Sequence, residues 1–173
     1  SVLSVTKVAD GSECFGGPVG VGDAEWLDDI AVATDLNPVP VADPKPPLTL
    51  ADAPIGKDLR TREVPLSIAD ADAYAREKER ETLPYFLAGD VTPRVHPSWI
   101  AEQPIHWLHH SYEYGPAIHA SSHIQHLARG SAGQSYRIAG RCADAYERKG
   151  HHYIVNDTVL VDAADVVIAR VRH

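Results

Sequence analysis

Turn signals at Gly133, Gly150 and the acidic cluster 162–165 cut the last third of this 173-residue chain into short β-rich runs. The runs 117–128, 136–149, 152–161 and 165–171 read as strands, with 152–161 rich in β-branched residues. The links between them are too short to carry crossover helices, so neighbouring strands must pair antiparallel. Upstream, Arg62-Glu63-Val64-Pro65-Leu66 reads as one more strand. Ser67 then supplies a helix N-cap, with Asp70 three positions on. The segment 69–81 is rich in the helix formers Ala, Glu, Arg and Lys, and Leu83-Pro84 closes it. A loop over 85–96 contains Gly89, Asp90 and Pro93. A second helix falls within 97–112, where Pro97 suits the first turn and Ile100, Trp107 and Leu108 share a buried side. Pro104 stands against an unbroken helix, because an interior proline costs about 3 kcal/mol, so a kink or a late start is expected there. The order is strand, helix, loop, helix and four strands. It predicts an α+β domain in which an antiparallel sheet wraps a long central helix and buries both layers.

Residues 1–50 are punctuated by Gly16-Gly17-Pro18 and by Pro38, Pro40, Pro44, Pro46 and Pro47. The apolar runs 2–8 and 30–33 fit isolated strands, and 37–47 reads as an extended linker. The expected division is an N-terminal arm over 1–50 and a folded domain over 51–173. Composition is ordinary for a globular chain, with 44% hydrophobic and 23% charged residues, so one full core is available. The net charge of −8 and the scattered Lys and Arg give no footprint for nucleic acid. No apolar run approaches the roughly 20 residues of a membrane span, and no signal peptide is visible at the N-terminus. Cys14 and Cys142 lie far apart in no metal or redox spacing, which fits a reduced, cytoplasmic setting. The absence of methionine means that the chain as given does not begin at a translation start, as expected of a fragment or of lost segments.

Several strings resemble the MaoC-like dehydratases. They are Ile68-Ala69-Asp70-Ala71-Asp72-Ala73-Tyr74-Ala75, Gly115-Pro116-Ala117-Ile118-His119-Ala120-Ser121-Ser122, and the tail Tyr146-Glu147-Arg148-Lys149-Gly150-His151-His152-Tyr153 with Ala169-Arg170-Val171-Arg172-His173. The tail is similar to the closing strands of the double-hotdog acyl dehydratases of actinobacteria. The resemblance spans 55–173 and implies a hotdog fold. It also implies acyl thioesters of CoA or of a carrier protein as ligands, with no cofactor. Pairing as homodimers or with another hotdog unit follows too, with sites between the two units. On this footing, 1–50 is either a clasp or the remnant of a preceding hotdog.

The activity implied is hydration of 2-enoyl thioesters or dehydration of 3-hydroxyacyl thioesters. A carboxylate and an imidazole facing one water share the proton transfers. The loop Gly89-Asp90-Val91-Thr92-Pro93-Arg94-Val95-His96 is similar to the Gly-Asp-x-Asn-Pro-x-His loop of the R-specific hydratases. Thr92 replaces the asparagine, and one residue is inserted before the histidine. By position Asp90 is the base and His96 its partner, with the oxyanion held at the N-terminus of the central helix. In a second alignment His96-Pro97 matches the histidine that opens that helix, and Asp90 is an ordinary loop carboxylate. His119 and Ser121 fall on the strand that borders the family's ligand tunnel, and are candidate substrate contacts. A thioesterase would use Glu102 or Glu113, and a drifted loop would leave a binding subunit without turnover. His119, His123 and His126 would share a face and chelate zinc if 117–128 were helical, but as a strand they split between two faces. His106, His109 and His110 are the other histidine cluster; with no acid at ligand spacing, no metal is expected. Trp99 and Trp107 read as core anchors, and Gly16-Gly17 makes no phosphate loop.

Overall fold

The computed structural model describes residues 2–6, 13–18, 29–30 and 35–173. Strands β1 (Val2–Thr6) and β2 (Glu13–Pro18) pair antiparallel in a small sheet of their own. The main sheet holds β3 (Arg62–Leu66), β4 (His123–His126), β5 (Gln134–Arg148), β6 (His151–Val161) and β7 (Val167–Arg172). Its order is β3-β5-β6-β7-β4, and every pairing is antiparallel. Helix α1 (Ile68–Ala73) continues as a wider π-turn over Tyr74–Lys78, and helix α2 (Pro97–Ser111) lies on the sheet.

The turns have the chemistry that their positions demand. Lys149 (φ 53°) and Gly150 (φ 76°) form the two-residue β5–β6 hairpin, in which both residues take positive φ. Between β6 and β7, Asp162 Oδ1 accepts the N–H groups of Ala164 and Val166 at 2.9 Å each. Ser67 accepts from the Asp70 N–H at 3.0 Å and caps α1, as the sequence predicts. The core forms where α2 buries Trp99, Ile100, Trp107 and Leu108 against Val64, Leu66, Tyr136, Ile138, Leu160 and Ala169. Ile30, Ala139, Val159 and Val161 bury part of the opposite face.

Several expectations change. Helix α2 is continuous from Pro97 through Pro104 to Ser111. Pro104 is buried, and the turn before it is tied to the sheet. Gln103 Nε2 donates to the Trp99 carbonyl at 2.8 Å, and Gln103 Oε1 accepts from Arg62 Nη1 at 3.2 Å. Burial and these bonds offset the missing N–H. The first helix is shorter than 69–81. It ends where Arg80 takes a left-handed φ of 54° and the Glu81 N–H returns to the Ala75 carbonyl at 2.8 Å. The expected strand 117–128 contracts to His123–His126, the stretch in ladder register with β7; Leu127 and Ala128 both turn their N–H groups to the Ile168 carbonyl and leave that register. Gly16-Gly17-Pro18 lie inside β2 instead of breaking the chain there, and the strand over 2–6 is paired, not isolated. Of the run 30–33, residues 31–33 lie outside the described residues. The proline-rich stretch is extended and strapped to the domain. Val39 N–H donates to the Thr61 carbonyl, Ala42 N–H to that of His110 and Leu48 N–H to that of Glu113.

Candidate functional site

The N-terminus of α2 gathers the groups best placed for chemistry. His96 is its N-cap, and His96 Nδ1 accepts the Ser98 N–H at 3.2 Å. With Nδ1 accepting, the ring proton belongs on Nε2. Nε2 faces Glu81 Oε2 at 3.4 Å, with the two side chains 12% and 19% exposed. The other oxygen, Glu81 Oε1, accepts the N–H groups of Leu83 and Thr82 at 2.9 and 2.7 Å. Those bonds hold the Glu81 carboxyl below the usual carboxylate range, with His96 adding to them. Phe86 (ring centroids 4.7 Å apart) and Tyr74 (6.0 Å) flank the imidazole. A narrow crevice lined by Leu66, Ala71, Tyr74, His96 and Trp99 lies beside it.

Short bonds fix the end of the loop that delivers His96. Val95 N–H donates to the Gly130 carbonyl at 3.0 Å, and Ala132 N–H to that of Pro93 at 2.8 Å. A Cβ on Gly130 would stand 2.8 Å from both the Tyr136 hydroxyl and Val95 Cγ2, so only glycine allows this approach. Asp90 stands on the exposed outer part of the loop and makes no hydrogen bond or ion pair with a described residue. The structure brings His96 to Glu81, and Asp90 is not among the partners of its ring.

The other expected residues lie elsewhere. His119 and Ser121 are exposed on the stretch that leads into β4, where Ile118 is 95% exposed. His119 Nε2 and His173 Nδ1 each contact Ser122 Oγ at 2.9 Å, and the two imidazoles stack 4.5 Å apart. Burial lowers the pKa of His173, and His119 beside it acts in the same direction. Glu102 is held by the Tyr74 hydroxyl at 3.0 Å and by Lys78 Nζ, and Glu113 is exposed. Among the described residues no three His, Cys, Asp or Glu side chains form a metal-binding group. Nor is any described helix long and apolar enough to cross a membrane. Sequence reasoning missed Glu81, Ser122 and His173. The one local hint was that Glu81 ends the helix expected over 69–81, just before Leu83-Pro84.

No protein-family model and no curated protein sequence matches this chain. Solved structures do. A MaoC-like dehydratase from Rhodospirillum rubrum is 15% identical with a TM-score of 0.57, over 72% of this chain and 92% of its own. The HadBC (3R-hydroxyacyl-ACP dehydratase) complex from Mycobacterium tuberculosis is 11% identical with a TM-score of 0.58, over 69% and 93%. A monoamine oxidase regulatory protein from Archaeoglobus fulgius is 8% identical with a TM-score of 0.58, over 74% and 92%. The chain therefore carries the hotdog fold of the MaoC-like dehydratases, an antiparallel five-stranded sheet around a central helix.

Proposed function

We propose that this hotdog chain is a cytoplasmic hydratase or dehydratase acting on a 2-enoyl or 3-hydroxyacyl thioester of CoA or of a carrier protein. The observation that carries the reading is the delivery of His96, at the end of the Gly89-to-His96 loop, to the N-terminus of the central helix. The positive end of the helix dipole and the Trp99 N–H lie there, since Pro97 has no N–H and His96 takes those of Ser98 and Ile100. They favour the negative charge that develops on a thioester oxygen. An imidazole beside that charge, with a carboxylate to share the proton transfers, is what the reaction requires. The loop resemblance offers Asp90 as one candidate for that carboxylate, and His119 and Ser121 enter as contacts to the acyl thioester. The fold adds support, since two of the similar structures are described as dehydratases.

Pairing with a second hotdog unit belongs to the same reading. Strand β4 closes one edge of the main sheet, and the exposed stretch around Ile118 runs directly into it. An open edge beside exposed apolar surface favours a partner.

A paired assay tests the function. Crotonyl-CoA and longer 2-enoyl-CoAs are followed for loss of enoyl absorbance, with a free-thiol readout in the same sample. Loss of absorbance without thiol release is the expected result. Thiol release would move the chemistry to a thioesterase, with Glu102 and Glu113 as its first candidates. Silence in both channels, with acyl-CoA still bound, would leave a non-catalytic binding subunit.

A further inference from the structure

We propose that Glu81, and not Asp90, is the carboxylate that works with His96; the assignment rests on the hydratase reading above. The argument is geometric. Glu81 is the carboxylate that His96 meets: Nε2 to Oε2 is 3.4 Å, and both side chains are largely withdrawn from solvent. Its second oxygen is occupied by two backbone N–H groups, so Oε2 is aimed at the imidazole and the carboxylate is kept ionised. The backbone is bent to achieve this. Arg80 adopts φ 54°, a left-handed conformation that costs a non-glycine residue about 1–2 kcal/mol, and the turn sets Glu81 back against α2. Strain of this kind persists where the surroundings over-determine it, and it gathers at functional sites. Asp90, six positions before His96, has no comparable support.

The separation of 3.4 Å is at the outer limit for a hydrogen bond, so a water oxygen can take over the Nε2 proton as the pair opens. Hydration then balances on one face of the substrate. The water oxygen bonds to the β-carbon while Glu81 Oε2 takes a proton from that water. The C=C π electrons move to the α-carbon, delocalised onto the thioester oxygen. The protonated Glu81 returns its proton to the α-carbon, and His96 keeps its Nε2 proton throughout, orienting the water. Dehydration is the reverse. Asn or Gln in place of a carboxylate removes the base but keeps an acceptor oxygen.

The test compares Glu81→Gln, Asp90→Asn and wild type in 2-enoyl-CoA hydration, after thermal melts show that the variants fold. Glu81→Gln is expected to lower kcat about 100-fold or more, the scale of general acid–base catalysis, with KM little changed. Its loss should exceed that of Asp90→Asn by at least about tenfold, and the acid limb of the kcat–pH profile should vanish in Glu81→Gln. The reverse order of losses would overturn the assignment while the hydratase reading stands. A wild type inert on both enoyl and 3-hydroxyacyl thioesters would overturn the reading, and the catalytic role with it. Nitrogen-15 NMR of the unliganded protein tests the pair independently of turnover. The Nε2–H tautomer of His96 supports it, and the Nδ1–H tautomer overturns it.

Discussion

The two ends of α2 are built in opposite ways. At the N-terminus the buried polar groups are paired. His96 caps the helix, Tyr136 donates to the Ser131 carbonyl at 2.6 Å and accepts from Gln134 at 3.1 Å, and Tyr74 meets Glu102. Toward the C-terminus Trp107 Nε1, Ser111 Oγ, Tyr114 OH and both polar atoms of the Asn156 amide are buried with no hydrogen-bond partner among the described residues. Asn156 lies in a row of cross-strand neighbours between Cys142 and His173, and burial raises the pKa of the Tyr112 phenol at the helix end, with Cys142 nearby adding to it. Burial pushes the Tyr114 phenol up to about 12. The difference teaches where this fold can place charge. Paired groups at the helix N-terminus are pre-set for a developing anion, whereas the C-terminal end holds its place through packing and carries polar atoms at a cost.

The comparison can be broken by substitution. If packing holds the C-terminal end, Trp107→Ala, at a fully buried position, should cost about 3–5 kcal/mol in denaturant unfolding. A loss near zero would mean that this end is not part of the cooperative core. If the N-terminal end depends on paired polar groups, Tyr136→Phe should cost about 0.5–1.5 kcal/mol, because it removes two hydrogen bonds while Gln134 Nε2 keeps its 3.1 Å bond to the Ser131 carbonyl. The same logic inverts at Asn156. Asn156→Leu should leave stability unchanged or raise it by about 1 kcal/mol, since it removes two unpaired atoms at similar volume. A clear loss would show that the amide is paired in solution and would erase the contrast.

The smallest effect sharpens the contrast through pH. His173 has a folded pKa below its unfolded value of about 6.5, so below that value the unfolded chain binds the proton more readily. Its contribution to stability is complete above about pH 6.5 and is lost as the pH falls from there through the lower folded pKa. Thermal melts between about pH 8 and about pH 5 should show a fall that His173→Gln reduces. An unchanged slope in the variant would assign the fall to other groups.

Much of the fold was legible because its signals are local. The Ser67 cap, the Lys149-Gly150 hairpin and the Asp162–Asp165 turn each act within four residues, and each forms where the sequence places it. Short links produced antiparallel neighbours at β5–β6 and β6–β7, whereas β4, also joined to β5 by a short link, pairs instead with β7 at the sheet edge. Pro104 misled the reading because its local cost is offset by burial against the sheet and by the Gln103–Arg62 tie, neither visible along the chain. The strand over 117–128 was overextended because β-propensity does not say where a partner strand ends.

The sequence by itself determined the element order, the turns and the arrival of a histidine at the start of the central helix. These depend on residues close along the chain, whose conformational preferences need no distant partner. Only the tertiary structure decided which carboxylate meets that histidine. Glu81 and His96 are separated by the whole Pro84–Phe86 turn and its loop, and Ser122 and His173 by four strands. Such pairs form because sheet packing and one left-handed residue bring distant chain segments within hydrogen-bond reach, and no periodicity or propensity encodes that distance.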